Sequence, residues 1–204
     1  MTDVPLRITP DMLLGRRLDF ERRMRLWPPV TLAILGALSV IFLAALALAA
    51  LESPEPLIAL GALSREAVMH GELWRLVSAT WLHGSVEHLV GNGIALYILG
   101  MVCEHAFGRR QFLVLYVVSG VAGSVLSILT SPGPSVGASG AIFGLQGAAI
   151  GLFRRHRDRL LVRNRRIGVV MLVWAVYAIA GGIFTPYIDN GAHIGGALGG
   201  ALLA

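Results

Sequence analysis

The chain contains no lysine and one cysteine, and only 14% of its 204 residues are charged. Each shortage excludes something. A soluble domain carries roughly 25% charged residues, so a chain that is 55% apolar and 14% charged lacks the polar surface to cover its interior in water. The lone Cys103 rules out an intramolecular disulfide and, sitting in an apolar run, says nothing about redox compartment. Without lysine, all 17 basic residues are Arg and a Ser–Lys catalytic pair is impossible. No His-Glu-x-x-His is present and no Asp lies inside an apolar run, which excludes a zinc-protease helix and an aspartyl pair. The net charge of +5 does not indicate nucleic acid, because the Arg residues alternate with apolar stretches.

What the chain has is apolar length. Six nearly uncharged stretches recur at 28–51, 85–103, 112–130, 136–153, 167–184 and 191–204. About 20 apolar residues of helix cross a ~30 Å bilayer core. The pattern predicts an all-α polytopic membrane protein: a bundle of six transmembrane helices over 28–204, preceded by an Arg-rich segment at 1–27. The first apolar run, at 24 residues, is too long for a signal-peptide core, so no cleavable leader is expected. The last run has 14 residues, about 21 Å of helix, and either begins earlier or has been cut short. Between the first two runs, 52–84 is too interrupted to span and too apolar for a solvated loop. It reads as an outer interfacial loop with Trp74 and Trp81 as anchors.

Arg placement sets the orientation, since positive loops stay cytoplasmic. Six Arg precede the first run (Arg7, Arg16, Arg17, Arg22, Arg23, Arg25), two follow the second (Arg109, Arg110) and seven lie between Arg154 and Arg166. Only Arg65 and Arg75 fall on the other side. Both termini are therefore expected in the cytoplasm, with the second, fourth and sixth spans running from outside to inside.

Polar groups inside a membrane are costly and are functional candidates by default. Ser139, in Gly137-Ala-Ser-Gly140, and His193 each stand three residues into a co-directional span, which puts them at one depth below the outer surface. His88 and Asn92, spaced i, i+4, share a face of the second span at a similar level. A Ser hydroxyl needs a neighbouring base to become a nucleophile, and a Ser at a helix start has free backbone N–H groups nearby for an oxyanion. His88 and Asn92 can add donors. Asp189, four residues before His193, is expected at the membrane surface, so these residues form a Ser–His dyad rather than a triad.

With these residues in place the sequence resembles the rhomboid family of intramembrane serine proteases over about 28–204. Gly137-Ala-Ser-Gly140 resembles the family's nucleophile motif, and Gly191-Ala-His-Ile-Gly-Gly196 resembles its sixth helix, implying Ser139 as nucleophile and His193 as base. His88-Leu-Val-Gly-Asn92 resembles the family's H-x-x-x-N, implying oxyanion-hole roles for His88 and Asn92 beside the Ser139 N–H. The resemblance further implies structural roles for Trp74-Arg75, His83, Glu104 and the Gly196/Gly200 pair, which would pack the sixth helix on the fourth. Ala79 stands where some relatives have His, and Phe143 where many have Tyr. Phe143 keeps a ring for His193 but loses the hydroxyl.

The resemblance implies a serine endopeptidase that cleaves transmembrane protein substrates near the outer face, without metal, cofactor or nucleic acid. The all-Arg basicity and heavy Ala, Gly and Leu usage point to a bacterial inner membrane. The alternative is a non-catalytic rhomboid-like protein that binds transmembrane clients; such a protein is expected to have lost Ser139 or His193. A channel would need polar groups through the full depth of the bundle.

Overall fold

The computed structural model describes residues 18–22, 24–131, 133–161, 166–184 and 188–204, with 18, 166–168, 170 and 182–184 as backbone only. Of the Arg residues counted for orientation, Arg7, Arg16, Arg17, Arg23, Arg163 and Arg165 lie outside the described residues. The element order is β1 (Leu18–Asp19), α1 (Pro29–Ala47), α2 (Pro54–Leu60), α3 (Arg65–Met69), α4 (Arg75–Ser78), α5 (Val86–Thr130), α6 (Ser139–Arg155), β2 (Leu160–Leu161), α7 (Arg166–Phe184) and α8 (Asn190–Leu203). A 3₁₀ turn, Ala79–Trp81, extends α4.

The first helix has a Pro at its opening position, where the missing N–H costs nothing, and its N-cap Pro28 offers no side-chain acceptor. The cap comes instead from a remote residue. Glu104 accepts from the Val30 N–H at 3.2 Å, the Thr31 N–H at 2.9 Å and the Thr31 hydroxyl at 2.9 Å. A carboxylate at a helix N-terminus also meets the positive end of the macrodipole. At the other end α1 closes through Ala49 (φ 54°), with the Ala50 N–H returning to Ala45 and the Ala49 N–H to Leu46, the paired bonds of a Schellman ending.

Helix α5 contains 45 residues, about 68 Å at 1.5 Å per residue, more than twice a ~30 Å bilayer core. It does not run straight. Gly108 takes φ 76°, ψ 165°, a conformation open to Gly because it lacks Cβ. The two arms fold back on each other there. His88, near the start of the first arm, lies against Gly137, while Ser127, near the end of the second, reaches Asp189 at the foot of α8. Where the sequence places a loop between 103 and 112, the chain therefore turns on one glycine.

The second arm ends at Thr130 because Pro132, Gly133 and Pro134 follow. The next helix, expected from 136, starts at Ser139. Gly137 before it has φ 133° and its N–H bonds to the Ala79 carbonyl at 2.9 Å.

The packed centre consists of α6, α8 and both arms of α5. Helices α6 and α8 meet backbone to backbone. A Cβ on Gly196 would fall inside the Gly140 carbonyl oxygen, one on Gly200 inside that of Gly144, and one on Gly147 inside that of Ala197. Small residues let helices approach this closely in a membrane. Leu96, Leu99, Val102, Phe112, Tyr116, Ile142 and Leu145 fill the core around them.

The outward faces are apolar as well: Val40, Leu43, Val90, Ile94, Val173 and Leu198 are all exposed. Monomeric soluble proteins rarely expose apolar surface on that scale. Among the described residues α1 and α5 are long and apolar enough to cross a membrane. At the opposite end from Ser139, β1 pairs in parallel with β2 (Leu18 with Leu160, Asp19 with Leu161), and Phe20 packs edge-on against His105 and Phe153. The segment before α1 is thus docked on the loop after α6.

Candidate active site

Ser139 is the first residue of α6, and its N-cap is Ala138, which has no side-chain acceptor. The amides of the first turn are left without a side-chain cap, the arrangement that suits an incoming anion. His193 stands in the first turn of α8 and is buried at 4% exposure. Its Nε2 lies 3.0 Å from Ser139 Oγ. Phe143, one turn along α6 from Ser139, stacks on the imidazole with centroids 4.3 Å apart and planes 21° apart, and Trp174 of α7 backs Phe143 at 4.7 Å.

On the other ring nitrogen, Nδ1 of His193, the described residues supply no hydrogen-bond partner. Among the described residues no carboxylate hydrogen-bonds the ring. Asp189, expected at the membrane surface, caps the start of α8. It is half-buried, and its carboxylate accepts from the Ala192 N–H at 3.0 Å, from the Ser131 hydroxyl at 2.7 Å and from the Ser127 hydroxyl. Burial pushes this carboxyl up, but the hydrogen bonds from Ser127, Ala192, Ser131 and Ser135 together hold it below the ordinary carboxylate range.

The first arm of α5 brings His88 and Asn92 to the same place. A Cβ added to Gly137 would lie 2.7 Å from Cε1 of His88 and 3.6 Å from Nδ2 of Asn92, so this glycine, two residues before Ser139, is the floor against which both rest. Asn92 is buried and donates from Nδ2 to Nε2 of His83 at 3.0 Å. The His83 ring is 1% exposed and stands edge-on to His88 at 5.0 Å. Burial first, and then the neighbouring His88, push its pKa down to about 3, so the ring stays neutral and free to accept.

The remaining residues singled out in the sequence lie away from the hydroxyl and build the frame. Arg75 is buried. It pairs with Glu72 at 2.7 Å, donates to the carbonyls of Ala62 and Ile58, and sits over the Trp74 ring at 4.7 Å. Trp74 in turn covers Gly61, where a Cβ would meet the indole. Glu104 caps α1 at the far end of the molecule, and Gly196 and Gly200 set the α6–α8 contact. Sequence reasoning missed Ser127 and Ser131, whose i, i+4 spacing marks one helix face, and it missed Thr31 and Trp174.

The chain matches the Rhomboid domain family model over residues 70–204. It is 39% identical over 150 residues to the rhomboid protease GluP of Bacillus subtilis, covering 74% of this chain and 29% of that protein. It is 44% identical over 147 residues to RHOMBOID-like protein 5 of Arabidopsis thaliana (71% of this chain, 47% of that one). With the inactive RHOMBOID-like protein 8 of the same plant the identity is 32% over 139 residues (67% and 39%). The chain spans less than half the length of these relatives. The family match covers most of the chain, and together with the small-residue helix contacts and apolar outer faces it leads to one conclusion: this chain belongs to the rhomboid family of integral membrane proteins.

Proposed function

We propose that the chain is an intramembrane serine protease that hydrolyses peptide bonds of transmembrane substrates near the outer face of the membrane. The observation that carries this reading is the 3.0 Å approach of His193 Nε2 to Ser139 Oγ, with Ser139 at a helix start. In the reaction His193 Nε2 takes the Ser139 proton as Oγ attacks the scissile carbonyl carbon. The oxyanion is met by the Ser139 N–H, with Asn92 and His88 as further donors. The imidazolium then protonates the leaving amine; water, deprotonated by the same ring, attacks the acyl–Ser139 ester, and the ring returns that proton to Ser139 Oγ as the new carboxyl end departs. The scheme needs no metal or cofactor.

The membrane domain in this reading is 28–204, with six spans when the arms of α5 are counted separately and 52–84 as the outer interfacial loop. The Arg-rich 1–27 segment and the 154–166 loop are cytoplasmic, in a bacterial inner membrane. The β1–β2 pairing supports a shared side for these two segments. Substrates with Gly or Pro near the cut are favoured, because a helical substrate must unwind to present its amide.

The second reading, a non-catalytic protein that binds transmembrane clients, is favoured by the name of one relative, an inactive rhomboid-like protein. Fluorophosphonate labelling of the purified protein, with a transmembrane substrate assayed beside it, separates the two. The protease reading expects one adduct per chain, on Ser139, and loss of both label and cleavage in Ser139→Ala with the fold retained. Substrate binding without Ser139-dependent cleavage leaves the second reading standing.

A further inference from the structure

The hydrogen bonds of the Asp189 carboxylate fall into two classes, one from its own helix and the others from Ser127, Ser131 and Ser135 earlier in the chain. The bond from the Ala192 N–H is an N-cap and fixes where α8 begins. The bonds from Ser131 and Ser127 cross to the second arm of α5, 58 and 62 residues back in the chain, and land on different carboxylate oxygens. One carboxylate therefore ties the foot of α8 to two successive turns of a neighbouring helix. Bonds to an ionised acceptor are roughly twice as strong as neutral ones.

The surrounding contacts leave the foot of α8 little other freedom. A Cβ on Gly195 would lie 2.7 Å from the Ala122 carbonyl oxygen, and one on Gly191 would overlap the Thr130 hydroxyl, so the same arm of α5 is pressed against this helix. On the far side Gly196 rests on Gly140 of α6.

His193 is one turn on from Asp189, on the same face, and its own N–H bonds to the Asp189 carbonyl at 3.2 Å. Its ring has Ser139 as hydrogen-bond partner and Phe143 as stacking partner, with Nδ1 unpartnered among the described residues. Among the described residues no side chain hydrogen-bonds the imidazole from behind. Its position is inherited from the position of its helix.

We infer that Asp189 is a positioning residue: through Ser127 and Ser131 it locks the rotation and height of α8 so that His193 Nε2 stands within hydrogen-bond reach of Ser139 Oγ. This rests on the protease reading and assigns a role that a carboxylate bonded directly to the imidazole plays in a triad to one that acts through the helix.

The test uses the full chain in detergent, with kcat and KM for a transmembrane substrate measured per molecule of monodisperse protein. Asp189→Ala is expected to lower kcat on the order of 10- to 100-fold, the cost of a misplacement near 1 Å, with KM within about twofold. Asp189→Asn, which keeps the acceptor shared by the cap and Ser131 and turns an amide toward Ser127, is expected to recover part of that loss. Ser127→Ala with Ser131→Ala leaves the cap bond intact and is expected to lower kcat in the same sense; it decides the matter if Asp189→Ala yields no monodisperse protein. Wild-type kcat in the serine pair, or a raised KM with unchanged kcat in Asp189→Ala, overturns the assignment while the protease reading stands. A wild-type chain without Ser139-dependent turnover overturns both.

Discussion

Asn92 donates its side-chain amide to Nε2 of His83 across 3.0 Å, and both side chains are buried. The pair links the first arm of α5 to the segment just before it, and it fixes which face the amide turns toward Gly137. Because His83 stays neutral down to a pKa of about 3, the acceptor persists across the working pH range.

Asn92→Ala is therefore expected to cost about 10²–10³ in kcat, the usual loss for one oxyanion donor, with little change in KM. His83→Ala leaves the amide in place but unheld and is expected to cost less in kcat than Asn92→Ala. Steady-state kinetics on both variants beside a thermal melt checks this. A purely packing role gives a lower Tm and unchanged kcat in the folded fraction.

Gly200→Ala is expected to remove activity and lower Tm, because the new methyl falls on the Gly144 backbone, which no side-chain rotation relieves. Ser139 and His193 sit on the two helices that would be forced apart. Gly36→Ala is the matched control: a Cβ there meets nothing within 4 Å, and in mid-helix it is expected to be neutral or to stabilise by about 0.5–1 kcal/mol. Melting curves and turnover of the two variants give the comparison.

Glu104→Ala strips three hydrogen bonds from the start of α1. A loss of at least about 2 kcal/mol is expected, within the range for bonds to a charged acceptor. Glu104→Gln, which keeps one acceptor oxygen, should fall between. Turnover per folded molecule is expected to survive both changes, since the site lies at the other end of the bundle. Denaturant titration with activity measured on the folded fraction tests it.

Asp189 has a folded pKa below its ordinary value. A group depressed in this way adds stability that is present above its unfolded pKa and is lost as pH falls through the folded one. The groups facing it from α5 and from the loop before α6 are hydroxyls (Ser127, Ser131, Ser135), and the titratable group on its own helix is His193. The Tm of the wild-type chain is expected to fall on acidification below the usual carboxylate range, and that of Asp189→Asn to fall less over the same interval.

The helical class and the convergence of Ser139, His193, His88 and Asn92 on one end were legible because they follow from apolar period and direction alone. Ser139 and His193 meet although their helices start at different distances from them, Ser139 opening α6 and His193 standing three residues into α8. Their meeting was readable where the helix boundary was not, since Pro132, Gly133, Pro134 and Gly137 delay the helix inside an apolar run. The turn at Gly108 was hidden for the opposite reason: charged Arg109 and Arg110 read as a loop, yet both are good helix formers and the chain needs only one left-handed glycine between them and Phe107. The anchoring of Asp189 was invisible because Ser127 and Ser131 are ordinary residues until the fold brings them against a residue 62 and 58 positions further on.

The cap on α1 also has a dimension in time. Thr31 and Glu104 are 73 residues apart, and at about 5–20 residues per second of synthesis that separation is roughly 4–15 s. Throughout that interval the opening turn of the first helix lacks its Glu104 partner, and its exposed amides depend on water and headgroups at the membrane surface. The contact that finishes the first helix is delivered by the first arm of α5, so α1 is made early and completed late.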